Sequence, residues 1–211
     1  MTDETQLAFH FDQTKCNGCK ACHMACKVKL ESNLNEIPRR VYEYVGGGCV
    51  DNGDNTFTTT VFGYYTSVGC NHCSEPVCVK ACPTGAMYKQ ASDGLVKIDQ
   101  SVCIGCGSCA QACPYDAPQL DTARQVMTKC DGCSDRLAQG KQPYCVASCT
   151  QRALDFGTVD EMISKYPNAA RADTAPLPSV SITTPNLFIS ANPNAKASGS
   201  AEGYIINLKE V

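Results

Sequence analysis

Apolar residues in this chain recur with the period of a strand just upstream of two cysteine-rich loops. Leu7, Phe9 and Phe11 alternate before Cys16, and Val96 and Ile98 alternate before Cys103, so each stretch predicts a short half-buried strand leading into a loop. Arg39-Arg-Val-Tyr-Glu-Tyr-Val45 and Thr56-Phe-Thr-Thr-Thr-Val-Phe-Gly-Tyr-Tyr65 are rich in β-branched and aromatic residues. They flank Gly, Asn and Asp, and predict a β-hairpin turning near Asp51-Asn-Gly-Asp54. From about residue 172 the composition shifts to Pro, Ala, Ser, Asn and Thr, which predicts an extended tail lying along a partner or, in the plainer alternative, a partly disordered terminus. No stretch reaches the roughly 20 apolar residues that cross a bilayer, so no direct membrane span is expected.

Cysteine usage changes this picture. Seventeen cysteines among 211 residues is roughly 8%, a level that would normally suggest a small secreted disulfide scaffold. A chain this long does not need staples to fold. Its N-terminus, Met1-Thr-Asp-Glu-Thr-Gln6, has two acids and neither the basic nor the apolar region of an export signal. The count is odd, and the cysteines are clustered two or three residues apart, where they pair poorly with one another but suit a shared metal centre.

Sixteen of them form four tetrads: Cys16-x2-Cys19-x2-Cys22-x3-Cys26, Cys70-x2-Cys73-x4-Cys78-x3-Cys82-Pro83, Cys103-x2-Cys106-x2-Cys109-x3-Cys113-Pro114 and Cys130-x2-Cys133-x11-Cys145-x3-Cys149. The first and third are introduced by one phrase, Phe11-Asp-Gln-Thr-Lys-Cys16 and Ile98-Asp-Gln-Ser-Val-Cys103. The second and fourth share an exit, Cys82-Pro-Thr-Gly-Ala86-Met87 and Cys149-Thr-Gln-Arg-Ala153-Leu154. A half-module is therefore used four times in two variants.

In Cys-x2-Cys-x2-Cys three thiolates share one tight loop whose N–H groups point at sulfur, which suits three corners of an iron–sulfur cubane. The fourth cysteine follows at the start of an expected helix, and in the two-cluster run C-x2-C-x2-C-x3-C-P it ligates the other cluster. The second and third tetrads then form one ferredoxin unit around the strand Leu95–Ile98. Cys70, Cys73, Cys78 and Cys113 hold one cluster, and Cys103, Cys106, Cys109 and Cys82 another. By elimination the first and fourth tetrads pair around that unit: Cys16, Cys19, Cys22 and Cys149 bind a third cluster, and Cys130, Cys133, Cys145 and Cys26 a fourth. Spacing alone leaves open the alternative in which the first tetrad pairs with the second and the third with the fourth. Zinc is the competing metal, chiefly at the fourth tetrad with its two separated pairs, but zinc ribbons rarely put three cysteines on one loop.

The expected fold class is therefore α+β, with two ferredoxin-like modules for two [4Fe–4S] clusters each, an inserted β-hairpin and an extended C-terminal tail. The outer module takes residues 1–30 and 119–171, the hairpin 31–69, the inner module 70–118 and the partner-binding tail 172–211.

The formal charge of −3 counts thiols as neutral, and four cluster cores with their thiolates take it to about −11, which argues against nucleic acid as a partner. Lys15, Lys20, Lys27, Lys29, Lys80, Lys129 and Arg152 lie beside cysteines and either offset cluster charge or form a solvated surface. His72, in the loop Cys70-Asn-His-Cys73, is expected to donate a hydrogen bond rather than ligate. Nothing supports His10 or His23 in catalysis, Cys49 stands alone as a plain thiol, and no catalytic constellation is present, so no catalytic residue is assigned.

These residues resemble the iron–sulfur (B) subunits of the anaerobic dimethyl sulfoxide reductases nearly end to end. The resemblance runs through Cys16-x-x-Cys-Lys-x-Cys-x-x-Ala-Cys26, Arg39-Arg-Val-Tyr-Glu-Tyr44, Ser67-Val-Gly-Cys-Asn-His-Cys73, Ala112-Cys-Pro-Tyr-Asp-Ala-Pro118, Met127-Thr-Lys-Cys-Asp-Gly-Cys133, Arg152-Ala-Leu-Asp-Phe-Gly157 and the closing Lys209-Glu-Val211. The four-tetrad pattern also belongs to subunits of formate dehydrogenases, nitrate reductases and polysulfide reductases. Gly107-Ser108 departs from the bulkier residues frequent in the sulfoxide reductases. The resemblance implies the nested pairing, four [4Fe–4S] clusters, a molybdopterin catalytic subunit and a quinol-oxidising integral membrane anchor as partners. It further implies a peripheral place at the bacterial inner membrane, on the outer face, by export of the folded protein with a catalytic partner bearing a twin-arginine signal. The cytoplasmic face is the other possibility.

Overall fold

The computed structural model describes residues 5–211, so the N-terminal residues 1–4, on which the reading of a missing export signal partly falls, lie outside the described residues. Its elements run in the order β1 (Leu7–Asp12), α1 (Ala21–Lys29), β2 (Arg40–Gly46), β3 (Cys49–Asp51), β4 (Phe57–Thr59), β5 (Phe62–Val68), α2 (Val77–Lys80), β6 (Met87–Lys89), β7 (Val96–Ile98), α3 (Ser108–Ala112), β8 (Gln119–Asp121), β9 (Val126–Thr128), α4 (Ser134–Leu137), α5 (Tyr144–Ala147), β10 (Leu154–Thr158), α6 (Val159–Lys165), β11 (Ala170–Arg171), β12 (Leu187–Ser190) and β13 (Gly203–Ile205). The sheets are small and the class is mixed α+β. No helix is long and apolar enough to cross a membrane among the described residues.

β1 lies inside a four-stranded sheet, antiparallel to β10 and parallel to β12, with β11 at the edge. Expected half-buried, it is buried on both faces along nearly its whole length. Phe9 and Phe11 face the main core with Val146, Leu154, Phe156, Leu187 and Ile189, while Ala8 turns to a second cluster made by Val159, Met162 and Phe188. α6 supplies that second cover. Its start is written in the sequence as Thr158-x-x-Glu161: the Thr158 hydroxyl accepts from the Glu161 N–H, and the Glu161 carboxylate from the Thr158 N–H.

The stretches on either side of Asp51–Asp54 pair as a hairpin in two ladders. β2 pairs with β5 and β3 with β4, the break falling at Gly47-Gly48 opposite Thr60-Val61. The inner ladder is largely buried; β3 and β4 are exposed throughout. Residues 172–211 run mostly extended, broken by single 3-10 turns at Val180–Ile182 and Leu208–Glu210, and part of their apolar surface packs on this chain while Ile182, Tyr204, Ile206 and Leu208 stay exposed. β12 completes the central sheet beside β1, β13 adds to β2, and Ala172, Ala175, Leu177, Leu187, Phe188 and Ile189 are buried. The short continuous apolar run Leu187–Ile189, buried on both faces, is what makes this possible.

The helix placement also differs from expectation. Cys22 and Cys26 both lie within α1, and α3 begins before Cys109 and has ended by Cys113. Pro114 is the cause: it disfavours helical geometry in the residue before it, and Cys113 is extended (φ −80°, ψ 116°).

Candidate metal centre

In all four tetrads the residue before the second cysteine has a positive φ: Gly18, His72, Gly105 and Gly132. That turn curls successive backbone N–H groups inward, as anion-binding nests do. N–H···S contacts follow, from Gly132 to Cys130 at 3.4 Å, Met87 to Cys82 at 3.4 Å, Met127 to Cys103 at 3.4 Å and Ala153 to Cys149 at 3.3 Å. The Cys82 and Cys149 contacts come from the shared exit phrase, a role for it that sequence comparison within the chain did not suggest. Hydroxyls approach sulfurs as well: Thr150 near Cys19, Thr84 near Cys82, Ser67 at 3.4 Å from Cys22 and Ser108 at 3.4 Å from Cys106.

Thiol neighbours sort the tetrads. Cys16 feels the charges of Cys22, Cys149 and Cys19, and Cys22 those of Cys145 and Cys149. Cys26 feels Cys145 and Cys133, and Cys130 feels Cys26, Cys70 and Cys145. Cys73 and Cys78 face Cys70 and Cys113; Cys109 faces Cys103 and Cys82, and Cys106 faces Cys82. A small, largely apolar cavity is lined by Cys16, Cys19, Cys22 and Cys149 together with Phe11, Val41, Ser67, Ala153 and Leu154. Among the described residues no three His, Cys, Asp or Glu side chains gather in the way a single metal ion requires.

The donor chemistry fits a polynuclear iron core. Burial first, then the neighbouring thiols, push Cys16 up to about 11 and Cys26, Cys73 and Cys78 to about 12, and raise Cys130 well above the usual thiol range. Grouped thiols that resist ionisation in this way become thiolates when a cationic core sits among them. The partly or fully exposed Cys19, Cys82 and Cys106 are instead held low. Hydrogen bonds from Ala21 and Thr150 act on Cys19. At Cys82 a small desolvation penalty is outweighed by Met87 and Thr84, and the Ser108 hydroxyl and N–H act on Cys106.

His72 is fully buried in the loop where the other tetrads carry glycine. Its Nδ1 accepts the Val96 N–H at 3.0 Å, which leaves the proton on Nε2, 3.7 Å from the Cys130 sulfur, and its carbonyl accepts from Asn186 Nδ2 at 2.9 Å. Desolvation first, then Lys129, Lys89 and Arg39, hold it neutral. The ring therefore donates from one cysteine loop to a sulfur of another tetrad. His10 stacks on Tyr166, and His23 is buried on α1 with its Nδ1 unpartnered among the described residues. Cys49 is exposed on β3, and among the described residues no thiol forms a disulfide.

Most of the basic residues that flank cysteines pair with carboxylates, Lys15 with Asp12, Lys20 with Glu210, Lys29 with Asp131 and Asp135, Lys80 with Glu75. Lys129 is buried and donates to the carbonyls of Val96 and Cys130. Arg39, a buried cation among these thiols, lies in the hairpin segment 13 positions after Cys26 and 31 before Cys70, where cysteine spacing gives it no mark.

Clustered thiols on N–H-lined loops, in a small-sheet α+β frame, define a ferredoxin-type iron–sulfur protein. A family model described as a 4Fe–4S dicluster domain matches residues 61–159. The B subunit of the anaerobic dimethyl sulfoxide reductase of Escherichia coli is 49% identical over 208 residues, covering 98% of this chain and 99% of that one. The corresponding subunit of Haemophilus influenzae is 47% identical over 206 residues, covering 98% and 99%. The thiosulfate reductase electron transfer subunit of Salmonella typhi is 40% identical over 160 residues, covering 74% and 78%. This protein belongs to the family of anaerobic dimethyl sulfoxide reductase B subunits and is an iron–sulfur electron-transfer subunit.

Proposed function

We propose that this chain holds four [4Fe–4S] clusters and carries electrons from a quinol-oxidising integral membrane subunit to a molybdopterin catalytic subunit that reduces dimethyl sulfoxide or a related S- or N-oxide. The observation that carries the reading is the cavity lined jointly by Cys16, Cys19, Cys22 and Cys149, thiols from opposite ends of the tetrad series. The same logic assigns Cys130, Cys133, Cys145 and Cys26 to a second site, Cys70, Cys73, Cys78 and Cys113 to a third, and Cys103, Cys106, Cys109 and Cys82 to a fourth. Residues 1–30 with 119–171 then act as an outer module and 70–118 as an inner one, a division supported by the pairing of β1 with β10 and of β6 with β7.

The chemistry a bound cluster supplies is reversible one-electron storage. The chain's own residues set its conditions. N–H and O–H donors aimed at sulfur favour the more negative, reduced state, and the apolar lining keeps water from the buried thiols. Cys70 beside Cys130, and Cys22 beside Cys145, support an electron path that runs from the Cys103 set through the Cys70 and Cys130 sets to the Cys16 set. Cys106 and Cys19, one in each end set, are exposed, which suits entry and exit at opposite ends.

The complex sits at the bacterial inner membrane through its partners. The folded protein is exported together with the catalytic subunit; expression without that subunit, with the chain recovered outside the cytoplasm, would sink this part. Anaerobic purification should yield about sixteen irons per chain with matching acid-labile sulfide, and four reducible EPR-active centres. Zinc without sulfide would refute the reading. A second reading, the same role in a thiosulfate reductase, is favoured by the Salmonella relative, but that likeness covers 74% of the chain. Assaying the purified complex with reduced viologen against dimethyl sulfoxide and thiosulfate separates the two.

A further inference from the structure

Arg39 is 2% exposed and carries a permanent charge. Among the described residues no carboxylate forms an ion pair with it. Its guanidinium lies over the Phe9 ring, 4.9 Å from the centroid, and donates to the Ser67 hydroxyl at 3.2 Å. Ser67 Oγ in turn lies 3.4 Å from the Cys22 sulfur. A buried cation without an anionic partner strongly destabilises a fold, so the negative charge has to come from elsewhere. Cys22 and Cys145, one from each of two sites, share a core cluster with the Phe9 ring that the guanidinium covers. Burial alone would depress the Arg39 pKa, and Cys145, Cys22, Cys130 and Cys26, once ionised as cluster ligands are, outweigh burial and raise it. Those four thiols belong to two sites of the outer module, Cys22 to one and Cys26, Cys130 and Cys145 to the other.

We propose that Arg39 is the shared counter-cation of the Cys16 set and the Cys130 set, a buried positive charge between them that holds up the midpoint potentials of both. The proposal rests on the four-cluster reading. Reduction adds one negative charge to a cluster, so a fixed neighbouring cation favours the reduced state and its removal lowers the potential. Its weight comes from position: in a dry core the charge is screened far less than that of the surface lysines. Arg39 is a positioning residue, touching the sites through sulfur charge and through Ser67.

The test is an EPR-monitored redox titration of the assembled complex carrying R39M or R39K. R39M should lower two of the four potentials by at least a tenfold change in the reduction equilibrium, about 59 mV for a one-electron step, and leave the other two in place. R39K, which keeps the charge, should shift the same two less. Four unchanged potentials in R39M overturn the proposal, as does an equal shift in R39M and R39K, which would make the role one of packing on Phe9. If R39M does not accumulate, R39K and R39Q decide. R39K retaining sixteen irons where R39Q loses iron supports the charge, and equal retention or equal loss overturns it. Wild-type complex without four clusters would instead fail the underlying reading, before any variant is compared.

Discussion

Gly132 precedes the second cysteine of the fourth tetrad, with φ +72°, and a Cβ built on it would lie 2.6 Å from Leu95 Cδ1 and 3.1 Å from Cδ2. Leu95 is 0% exposed, so it has no free volume into which to withdraw. Two costs therefore add in Gly132→Ala. The left-handed backbone costs an L-residue about 1–2 kcal/mol, and an extra carbon in a filled core costs about 1–3 kcal/mol. Gly140 separates them: its φ is +68°, but nothing lies within 4 Å of its Cβ position. Gly140→Ala should then lose only the backbone share, reduced by the entropy that alanine removes from the unfolded state. With the same entropy gain at both sites and about 2–4 °C per kcal/mol for a chain of this size, Gly132→Ala should lower the thermal midpoint by roughly 2–18 °C and Gly140→Ala by no more than about 6 °C. Loss of the iron–sulfur absorbance at a fixed heating rate reads both. Equal shifts would refute the argument, because they would mean that the Leu95 contact costs nothing and that the fourth loop tolerates a side chain as the second loop tolerates His72.

His72→Phe keeps the ring volume but strands the buried Val96 N–H and removes the donor at Cys130; it should cost about 1–3 kcal/mol of stability and lower one midpoint potential while iron content holds. Leu187→Ala should destabilise the fold by about 2–5 kcal/mol in chemical denaturation, because that residue of the tail is 1% exposed on β12 beside β1, whereas Ile206→Ala, half exposed, should change little. His10 is held down from 6.5 to about 4, by desolvation working against the charges of Asp12 and Asp155. The unfolded state therefore binds the extra proton between those values, so stability present above pH 6.5 should fall as the pH drops toward 4, by at most about 3 kcal/mol. His10→Gln should flatten that part of the profile in urea titrations at each pH.

The parts of the site legible in the sequence are those encoded within a few residues. Three thiols on one loop, the Asp-Gln entry phrase, the proline after Cys82 and Cys113 and the hairpin strands all follow from local spacing and composition. The tail reads as a linker because its Pro, Ser and Asn content dominates, yet Leu187–Ile189 meets β1 from nearly 180 positions away, a pairing that leaves no local trace. Arg39 is hidden for a related reason. In sequence, Arg39-Arg40 reads only as the start of a hairpin strand, and the two arginines meet different partners. Arg40 donates to the carbonyls of Tyr115 and Asp116, whereas Arg39 turns inward to Phe9 and Ser67. Alternation along a strand sends neighbours to opposite faces, and because both arginines are buried, what each one meets depends on where the strand docks. Ligand identity is thus local information, and the charges that set the electrical environment of those ligands are tertiary. A second member of this family with the same sixteen cysteines and a different residue at position 39 should differ in potential while its ligand count stays the same.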